Sequence, residues 1–238
     1  MNDKRGLWAV VPVKRRTDAK RRLMPLLASD ERAALAHAML QDVLSALTLS
    51  RSLAGIVMMT GEPSAAALAR AVGVRVIEDL DDAGMVPALT KAGRQLAKEG
   101  RDGMLIVPAD VPLVTAADIE TLARTHQAAP SVTLVPACGD GGTNALCCSP
   151  PAVMRLYFAE GDSFRKHQDE ARAKGIAPQI VRLERIEQDI DRPDDVAAFM
   201  QRPSATRSYA YLTQIGIAQR LHDMQLDACT NSPAKGTA

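Results

Sequence analysis

An aspartate stands in a stiff turn at the end of an apolar run. In "MLIVPADVPLV", residues 104–114, the apolar start predicts a buried strand, and Asp110 follows between Pro108 and Pro112. Proline fixes the backbone φ angle, so the two rings restrict the loop that carries the carboxylate. In open α/β sheets, ligands bind beyond the carboxyl ends of the strands. A rigid carboxylate there is typical of a Mg²⁺ ligand. Capping of the next helix is the weaker explanation, because Thr115 already suits that position.

A second acidic pair lies in "QDIDRPDD", residues 188–195. Asp189 and Asp191 are two residues apart, which on a strand would direct both carboxylates to the same face. With Asp110 they would hold one divalent cation from two strand ends. Alone, the segment is a weak signal, and the alternative is an ordinary solvated turn with Asp194 or Asp195 at the start of a helix.

Positive charge crowds directly after the first apolar run. Six basic residues fall within nine positions of "VPVKRRTDAKRRL": Lys14, Arg15, Arg16, Lys20, Arg21 and Arg22. Such a cluster would reach a polyphosphate above the edge of a sheet, although a solvated basic loop is the alternative. The chain has no P-loop and no G-x-G-x-x-G, which disfavours a kinase-like NTPase and a dinucleotide-dependent dehydrogenase.

Glycines precede two polar residues in "GDGGTNALCCSPP", residues 139–151. Glycine lets a backbone approach a ligand closely, and the hydroxyl of Thr143 adds a donor. Downstream, "EGDSFRKH" places Ser163 at the start of a predicted helix, where free N–H groups and the helix dipole attract anions. His167 lies one turn further on the same face, either as a structural histidine or in support of an anion site.

These residues must be positioned by alternating strands and helices. Hydrophobic patterning predicts strands over 7–13, 55–60, 74–79, 104–110, 131–137 and 178–183. It predicts helices over 29–47, 63–73, 86–100, 115–127, 163–175 and 192–201. Ser29 and Ser163 are the expected caps of their helices. This alternation predicts an α/β fold with a mostly parallel sheet and helices on both faces.

Composition limits the class of protein. The 238 residues carry a net charge of +1, which argues against bulk electrostatic binding of nucleic acid or membranes. No signal peptide and no apolar stretch of membrane-spanning length is evident. The four cysteines form no C-x-x-C pair, so we expect reduced thiols and a cytoplasmic protein.

The C-terminal part differs from the rest. We predict one domain over 1–202 and an extension over 203–238 that is partly helical and has a flexible end. The weak amphipathic pattern after residue 203 fits either a helix that packs on its own domain or an arm that forms a homodimer.

The motifs together resemble one known family. "VPVK" with "AKRRL", "VPADVPLV", "GGTNAL", "SFRKH" and "DIDRPDDV" occur in this order, and the match runs from about residue 7 to 200. They resemble the CofC/FbiD guanylyltransferases of coenzyme F420 biosynthesis. That resemblance implies the Rossmann-like nucleotidyltransferase fold shared with molybdenum-cofactor guanylyltransferases (the MobA-like fold). It also implies transfer from GTP to 2-phospho-L-lactate, phosphoenolpyruvate or 3-phospho-D-glycerate, with release of pyrophosphate.

The resemblance assigns roles position by position. The Mg²⁺ ligands would be Asp110, Asp189 and Asp191, and Asp110 would be catalytic together with Lys20 and Arg22. The nucleotide would contact Lys14, Lys20, Arg22, Met85, Pro87 and Asp110. The acid substrate would contact Thr143, Glu160, Gly161, Ser163 and His167. Partners are therefore GTP and a small phosphorylated acid, with a homodimer through the extension as a further possibility.

Two departures from the family pattern affect the predicted acid site. Glu160 stands where the family commonly has glycine, with Gly161 one position later. Met85 and Val86 replace the Leu-Asn that often precedes the next helix. We take both departures, with the extension after 203, as favouring the branch of the family that uses 3-phospho-D-glycerate.

Two alternatives remain open. A molybdenum-cofactor or sugar-phosphate nucleotidyltransferase would normally carry an L-x-G-G-x-S/G-x-R-x-G loop after the first strand, which is missing here. A non-catalytic phospho-ligand sensor that dimerises through its C-terminal arm would need no metal. Mg²⁺-dependent release of pyrophosphate from GTP distinguishes the sensor from an enzyme.

Overall fold

A computed structural model describes residues 6–14, 20–79, 83–139, 141–158 and 160–230. Arg15 and Arg16 of the basic cluster lie outside these residues, as do residues 231–238 of the predicted flexible end, 229–238. The strands are β1 Leu7–Val13, β2 Gly55–Thr60, β3 Arg75–Glu78, β4 Gly103–Ile106, β5 Ser131–Pro136, β6 Thr143–Ser149 and β7 Gln179–Ile180.

The six predicted helices are present in the predicted order, and the described residues form three further helices after residue 183. They are α1 Ser29–Leu49, α2 Pro63–Ala71, α3 Met85–Lys98, α4 Ala116–Thr125, α5 Ser163–Ala173, α6 Glu184–Glu187, α7 Pro193–Met200, α8 Arg207–Gln214 and α9 Ile217–Thr230. A short 3-10 turn, Arg21–Leu23, precedes α1. Thr115 caps α4 as predicted, and Asp118 completes a capping box. Ser29 is the first helical residue of α1 and does not cap it.

The strands form one seven-stranded sheet in the order β3-β2-β1-β4-β6-β5-β7. β6 is antiparallel to β4 and β5, and the remaining pairs are parallel. Alternate residues of β1 enter two different cores. Ala9 and Val11 pack with α1, α2 and α4, whereas Val10 packs with α3 and α5. Helices therefore cover both faces, as the sequence predicts, and buried parallel strands explain the continuous apolar runs.

Three segments differ from the sequence prediction. Residues 143–149, for which hydrophobic patterning predicts no strand, form the buried strand β6. The strand before Asp110 ends at Ile106, because Pro108 supplies no N–H for a ladder. Asp189 and Asp191 lie in irregular chain between α6 and α7, so the expectation of a strand at this place is wrong.

The segment after 203 packs on its own chain. Leu212 of α8 and Ile217 of α9 are fully buried in a third core with Leu23, Leu35 and Phe199. Of the two interpretations of this segment, the structure shows a helix pair on its own domain. A homodimer through it stays a prediction.

Among the described residues, none of the helices combines the length and apolar character needed to cross a lipid bilayer. Cys138, Cys147 and Cys148 are free thiols.

Candidate active site

A cavity of about 510 Å³ opens beyond the carboxyl ends of β1 and β4. Parallel strands end at the same edge of a sheet, so residues far apart in sequence meet there. The lining residues are Pro12, Val13, Lys14, Lys20, Arg21, Arg22, Ala36, Met39, Leu40, Met85, Pro108, Ala109, Asp110, Asp189 and Asp191. The described members of the basic cluster, the proline-fenced aspartate and the second acidic pair therefore share one cavity.

Lys20 connects the two acidic segments. Its Nζ lies 2.7 Å from Asp110 Oδ2 and 3.6 Å from Asp191 Oδ1. Burial by itself lowers the pKa of Lys20, but the charges of Asp110 and Asp191 and the hydrogen bond to Asp110 outweigh it and raise the pKa. Lys20 also has φ 52° and ψ 43°, the left-handed region that L-residues seldom adopt. A strained, buried and ion-paired lysine in a cavity is typical of a functional site.

A network of hydrogen bonds holds the second acidic segment against β4 and β6. Ile190 N donates to the carbonyl oxygen of Asp110 at 3.0 Å. Asn144 Nδ2 donates to Asp189 Oδ1 and to the carbonyl oxygens of Ile186 and Glu187, each at 3.0 Å. Because β6 is antiparallel, its first residues lie at the edge where β4 ends. The role of Asn144 escaped the sequence analysis, although it stands inside the quoted "GGTNAL".

The carboxylates differ in their environments. Burial, followed by the charge of Asp110, raises the pKa of Asp189 to about 6. Asp191 instead faces cations, with Arg22 Nη1 at 2.7 Å from its Oδ2. Arg22 and Lys14 are exposed at the mouth of the cavity, where they remain available to an anionic ligand.

The donor set suits a hard cation. Within the part of the chain that the structure describes, no group of three or more acidic, histidine or cysteine side chains stands close enough to hold a metal ion as it is. One cation, the ammonium of Lys20, nevertheless contacts both Asp110 and Asp191 and interacts with the charge of Asp189. Carboxylate oxygens are the ligands that Mg²⁺ prefers, so the chemistry of these side chains fits such an ion.

The residues predicted for the acid substrate form a separate cluster. Thr143, Ser163 and His167 are buried and do not line the cavity. Thr143 Oγ1 lies 2.9 Å from His167 Nδ1 and 3.5 Å from Ser163 Oγ. Ser163 is the first residue of α5, whose N-cap is Asp162, so the expectation of a serine cap is wrong. Asn144, next in sequence to Thr143, links this cluster to Asp189.

Three other predicted site residues lie outside the cavity lining. Glu160 is exposed, and its Oε2 lies 2.8 Å from Nζ of Lys166. Gly161 is exposed, with open space where a Cβ would stand. Pro87 is exposed in the first turn of α3, whereas its neighbour Met85 lines the cavity.

A larger cavity of about 600 Å³ lies between α1, α4 and residues 202–207. Its arginines are paired with acidic residues: Arg185 with Asp118, Arg202 with Glu184 and Arg207 with Asp42. None of the residues predicted to do chemistry lines it. We therefore take the cavity around Lys20 as the candidate active site.

Curated relatives match most of the chain. A phosphoenolpyruvate guanylyltransferase of Roseiflexus castenholzii is 39% identical over 201 residues, which cover 84% of this chain and 90% of the relative. A 2-phospho-L-lactate guanylyltransferase of Methanothermobacter thermautotrophicus is 32% identical over 207 residues, with coverage of 87% and 90%.

Solved structures share the fold at low sequence identity. A protein of Desulfovibrio desulfuricans G20 described as a nucleotide-diphospho-sugar transferase superposes with a TM-score of 0.72 at 16% identity, over 94% of this chain and 98% of that one. A nucleotidyl transferase of Methanothermobacter thermautotrophicus has a TM-score of 0.54 at 18% identity, over 82% and 95%. The predicted nucleotidyltransferase fold is confirmed.

The family model described as "Guanylyl transferase CofC like" matches residues 7–226. The match includes α8 and most of α9, so the expectation that the resemblance ends near residue 200 is wrong. The resemblance carried by the sequence motifs is itself confirmed, and the chain belongs to the CofC-like guanylyl transferase family.

Proposed function

We propose that this protein transfers the guanylyl group of GTP to the phosphate of a phosphorylated three-carbon acid and releases pyrophosphate. The proposal rests on the ion pairs of the Lys20 ammonium with Asp110 and Asp191, in a cavity whose entrance is lined by basic residues. Phosphoryl chemistry needs this combination of positive charge for the phosphates and carboxylates for a metal. The family's relatives, which are named for guanylyl transfer to phosphorylated acids, support the same reaction.

The proposed step is a displacement at phosphorus. An oxygen of the acid's phosphate forms a bond to the α-phosphorus of GTP, and the bond from that phosphorus to the bridging oxygen of pyrophosphate breaks. A phosphate monoester, with a second pKa of about 6, is largely ionised near neutral pH and needs no strong base. Catalysis then consists of positioning and charge neutralisation, in which Lys14, Lys20 and Arg22 would hold the phosphates of GTP.

We assign the metal to Asp110, Asp189 and Asp191. Mg²⁺ bound there would neutralise the charge that develops on the phosphate oxygens. The carboxylates fit this role because Asp110 and Asp191 share the ammonium of Lys20 and Asp189 interacts with its charge, and Asn144 fixes the direction of Asp189. Lys20 would then exchange its carboxylate partners for phosphate oxygens of the nucleotide.

For the acid we propose contacts to Thr143 and Ser163, with His167 in support. The preference for 3-phospho-D-glycerate stays a prediction. Of the two departures that motivate it, Met85 lines the cavity, whereas Glu160 faces Lys166 and solvent, and the third motive, the extension after residue 203, is matched to residue 226 by the family model. The relatives are named for phosphoenolpyruvate and 2-phospho-L-lactate, so these acids are the main competitors. The product would serve coenzyme F420 biosynthesis in the cytoplasm.

A panel of substrates tests the proposal. The purified protein is incubated with Mg²⁺, one of the four nucleoside triphosphates and an equimolar mixture of the three acids, and the products are read by mass spectrometry. We expect a guanylylated acid from GTP, with little product from the other nucleotides. Dominance of the enolpyruvate or lactate product would refute the preference for 3-phospho-D-glycerate, and no nucleotidylated acid from any nucleotide would refute the function.

A further inference from the structure

The imidazole of His167 is buried completely and held from both sides. The backbone N–H of Tyr157 donates to its Nε2 at 2.8 Å, and its Nδ1 lies 2.9 Å from Thr143 Oγ1. The ring also packs on Phe158, with 4.9 Å between the ring centroids. A histidine held this firmly has one orientation and can impose it on its neighbours.

The contact with Tyr157 decides which ring nitrogen carries the proton. A backbone N–H can only donate, so Nε2 must offer its lone pair. The proton of the neutral ring is therefore on Nδ1, and Nδ1–H donates to Thr143 Oγ1. Burial lowers the pKa of His167 to about 4, which keeps the ring neutral at physiological pH.

The tautomer of His167 determines which hydrogen bonds the hydroxyl of Thr143 can make. A hydroxyl has one hydrogen and two lone pairs. One lone pair accepts from His167, and the Ser163 hydroxyl points to the same oxygen over a long 3.5 Å. Among the described residues these are the partners of Thr143 Oγ1, so its hydrogen is left for a group that accepts.

The surroundings favour a negatively charged acceptor. Thr143 is next to the start of α5, which spans 11 residues and has no acidic residue in its first turn, and the carboxylate of its N-cap Asp162 makes no capping bond and lies 3.7 Å from the guanidinium of Arg165. The N-terminal end of a helix attracts anions. A hydroxyl that can only donate, placed beside such an end, selects an anionic oxygen and rejects a donor.

We propose that His167 is a positioning residue that commits the Thr143 hydroxyl to donate to an anionic oxygen of the acid substrate. This inference rests on the proposed function, since it assumes that the acid binds at Thr143. It gives the buried histidine of "SFRKH" a role in recognition that packing alone does not require.

Two amide substitutions test the two hydrogen bonds of the His167 ring one at a time, because each keeps one bond and removes the other. In His167→Asn the amide nitrogen takes the approximate place of Nδ1 and keeps the donor to Thr143. In His167→Gln the amide oxygen takes the approximate place of Nε2 and keeps the acceptor for Tyr157, while the donor to Thr143 is lost. We expect the KM for phosphoenolpyruvate, 2-phospho-L-lactate or 3-phospho-D-glycerate, whichever is used, to rise by roughly tenfold or more in His167→Gln, as expected for a hydrogen bond to a charged group.

The other kinetic parameters are expected to stay close to wild type. His167→Asn should retain the acid KM within about threefold, and neither variant should change the KM for GTP by as much. Equal rises of the acid KM in both variants, at equal melting temperature, would overturn the proposal and leave His167 a packing residue.

Further variants keep the proposal testable if His167→Asn does not fold. Thr143→Ser keeps the hydroxyl, whereas Thr143→Val removes it with little change of shape. In a Thr143→Val background, His167→Gln should have no additional effect on the acid KM, because the hydroxyl it orients is gone. An additional rise there would contradict the proposal.

The tautomer is measured independently of activity. In protein labelled with ¹⁵N in its histidines, the signal of His167 is assigned by its loss in His167→Gln. We expect the proton on Nδ1 near pH 7, and a proton on Nε2 would overturn the proposal. If the wild-type protein guanylylates none of the acids, the proposed function fails, and the tautomer still decides whether Thr143 is committed to donate.

Discussion

In the candidate active site, Asp110 and Asp191, which come from distant segments of the chain, both form ion pairs with the ammonium of Lys20. Residue types and local context predicted these members of the site, because a carboxylate fenced by prolines and a cluster of basic residues are visible in the sequence. Asn144 was not predicted, because its role depends on a contact with Asp189 that spans 45 residues of chain. Burial and partners of this kind arise only when the strands pair.

Asp110→Asn replaces one carboxylate oxygen by an amide nitrogen and so tests whether Asp110 is a metal ligand. The fold should be retained, because the shape of the side chain is nearly unchanged. Turnover should fall by about 10²-fold or more, since a weakened metal site neutralises less charge in the transition state. The exposed Asp194 of α7 offers a matched control, and Asp194→Asn should leave turnover unchanged. Wild-type turnover of Asp110→Asn at saturating Mg²⁺ would refute the assignment.

Asn144→Ala removes the amide that holds the second acidic segment. The carbonyl oxygens of Ile186 and Glu187 lose their shared donor, which should lower the free energy of unfolding by about 1–3 kcal/mol in urea titrations. Asp189 also loses its orientation, so the Mg²⁺ concentration for half-maximal activity should rise. An unchanged Mg²⁺ requirement would show that Asn144 supports the fold without orienting a ligand.

The burial of His167 predicts a pH dependence of stability. Its pKa is about 4 in the folded chain and near 6.5 when unfolded, so the unfolded state binds more protons between these values. The contribution is fully present above pH 6.5 and is lost as the pH falls towards 4, by at most about 3 kcal/mol.

The measurement is a series of urea titrations from pH 7 to 4.5 for the wild type and His167→Gln. Asp189 acts in the opposite direction, because its raised pKa favours the folded state as the pH falls, so only the difference between the two proteins isolates His167. The loss of stability on acidification should be smaller in His167→Gln. Parallel curves would contradict the lowered pKa.

At the scale of elements, periodicity predicted six of the seven described strands and, up to α7, every described helix except the short α6, with helices on both faces of the sheet. It missed the strand over residues 143–149, where the apolar run that follows the glycines at 139, 141 and 142 pairs with β4 and β5. It also failed at 188–191, where a two-residue spacing of aspartates occurs without a strand. In both places, long-range pairing decides the conformation, and local pattern does not report it.

The helices α8 and α9 provide a test of how the C-terminal segment contributes. Leu212 is fully buried in the third core, so Leu212→Ala should lower the free energy of unfolding by about 2–5 kcal/mol in urea titrations. Leu226 in α9 is 52% exposed, and Leu226→Ala should change it by less than about 0.5 kcal/mol. Equal effects of the two substitutions would contradict the packing of α8 on the domain.

For the molecule as a whole, the fold brings charged residues of both signs to one edge of the sheet, although the net charge of the chain is only +1. The basic residues after β1, Asp110 after β4 and the segment before α7 meet at one edge because these elements end there. The start of β6 reaches the same edge from the opposite direction. The architecture thus explains how a nearly neutral chain builds a strongly polar cavity suited to nucleotide phosphates.

The linkage formed in the product tests the central claim most directly. GTP, Mg²⁺ and each acid are incubated separately with the protein, and the mixture is followed by ³¹P NMR. The account predicts, for at least one acid, two mutually coupled phosphorus signals from a new diphosphate bridge between guanosine and the acid, together with pyrophosphate in equal amount. Release of GMP and pyrophosphate without coupled signals, or unchanged GTP with every acid, would contradict guanylyl transfer to the acid's phosphate.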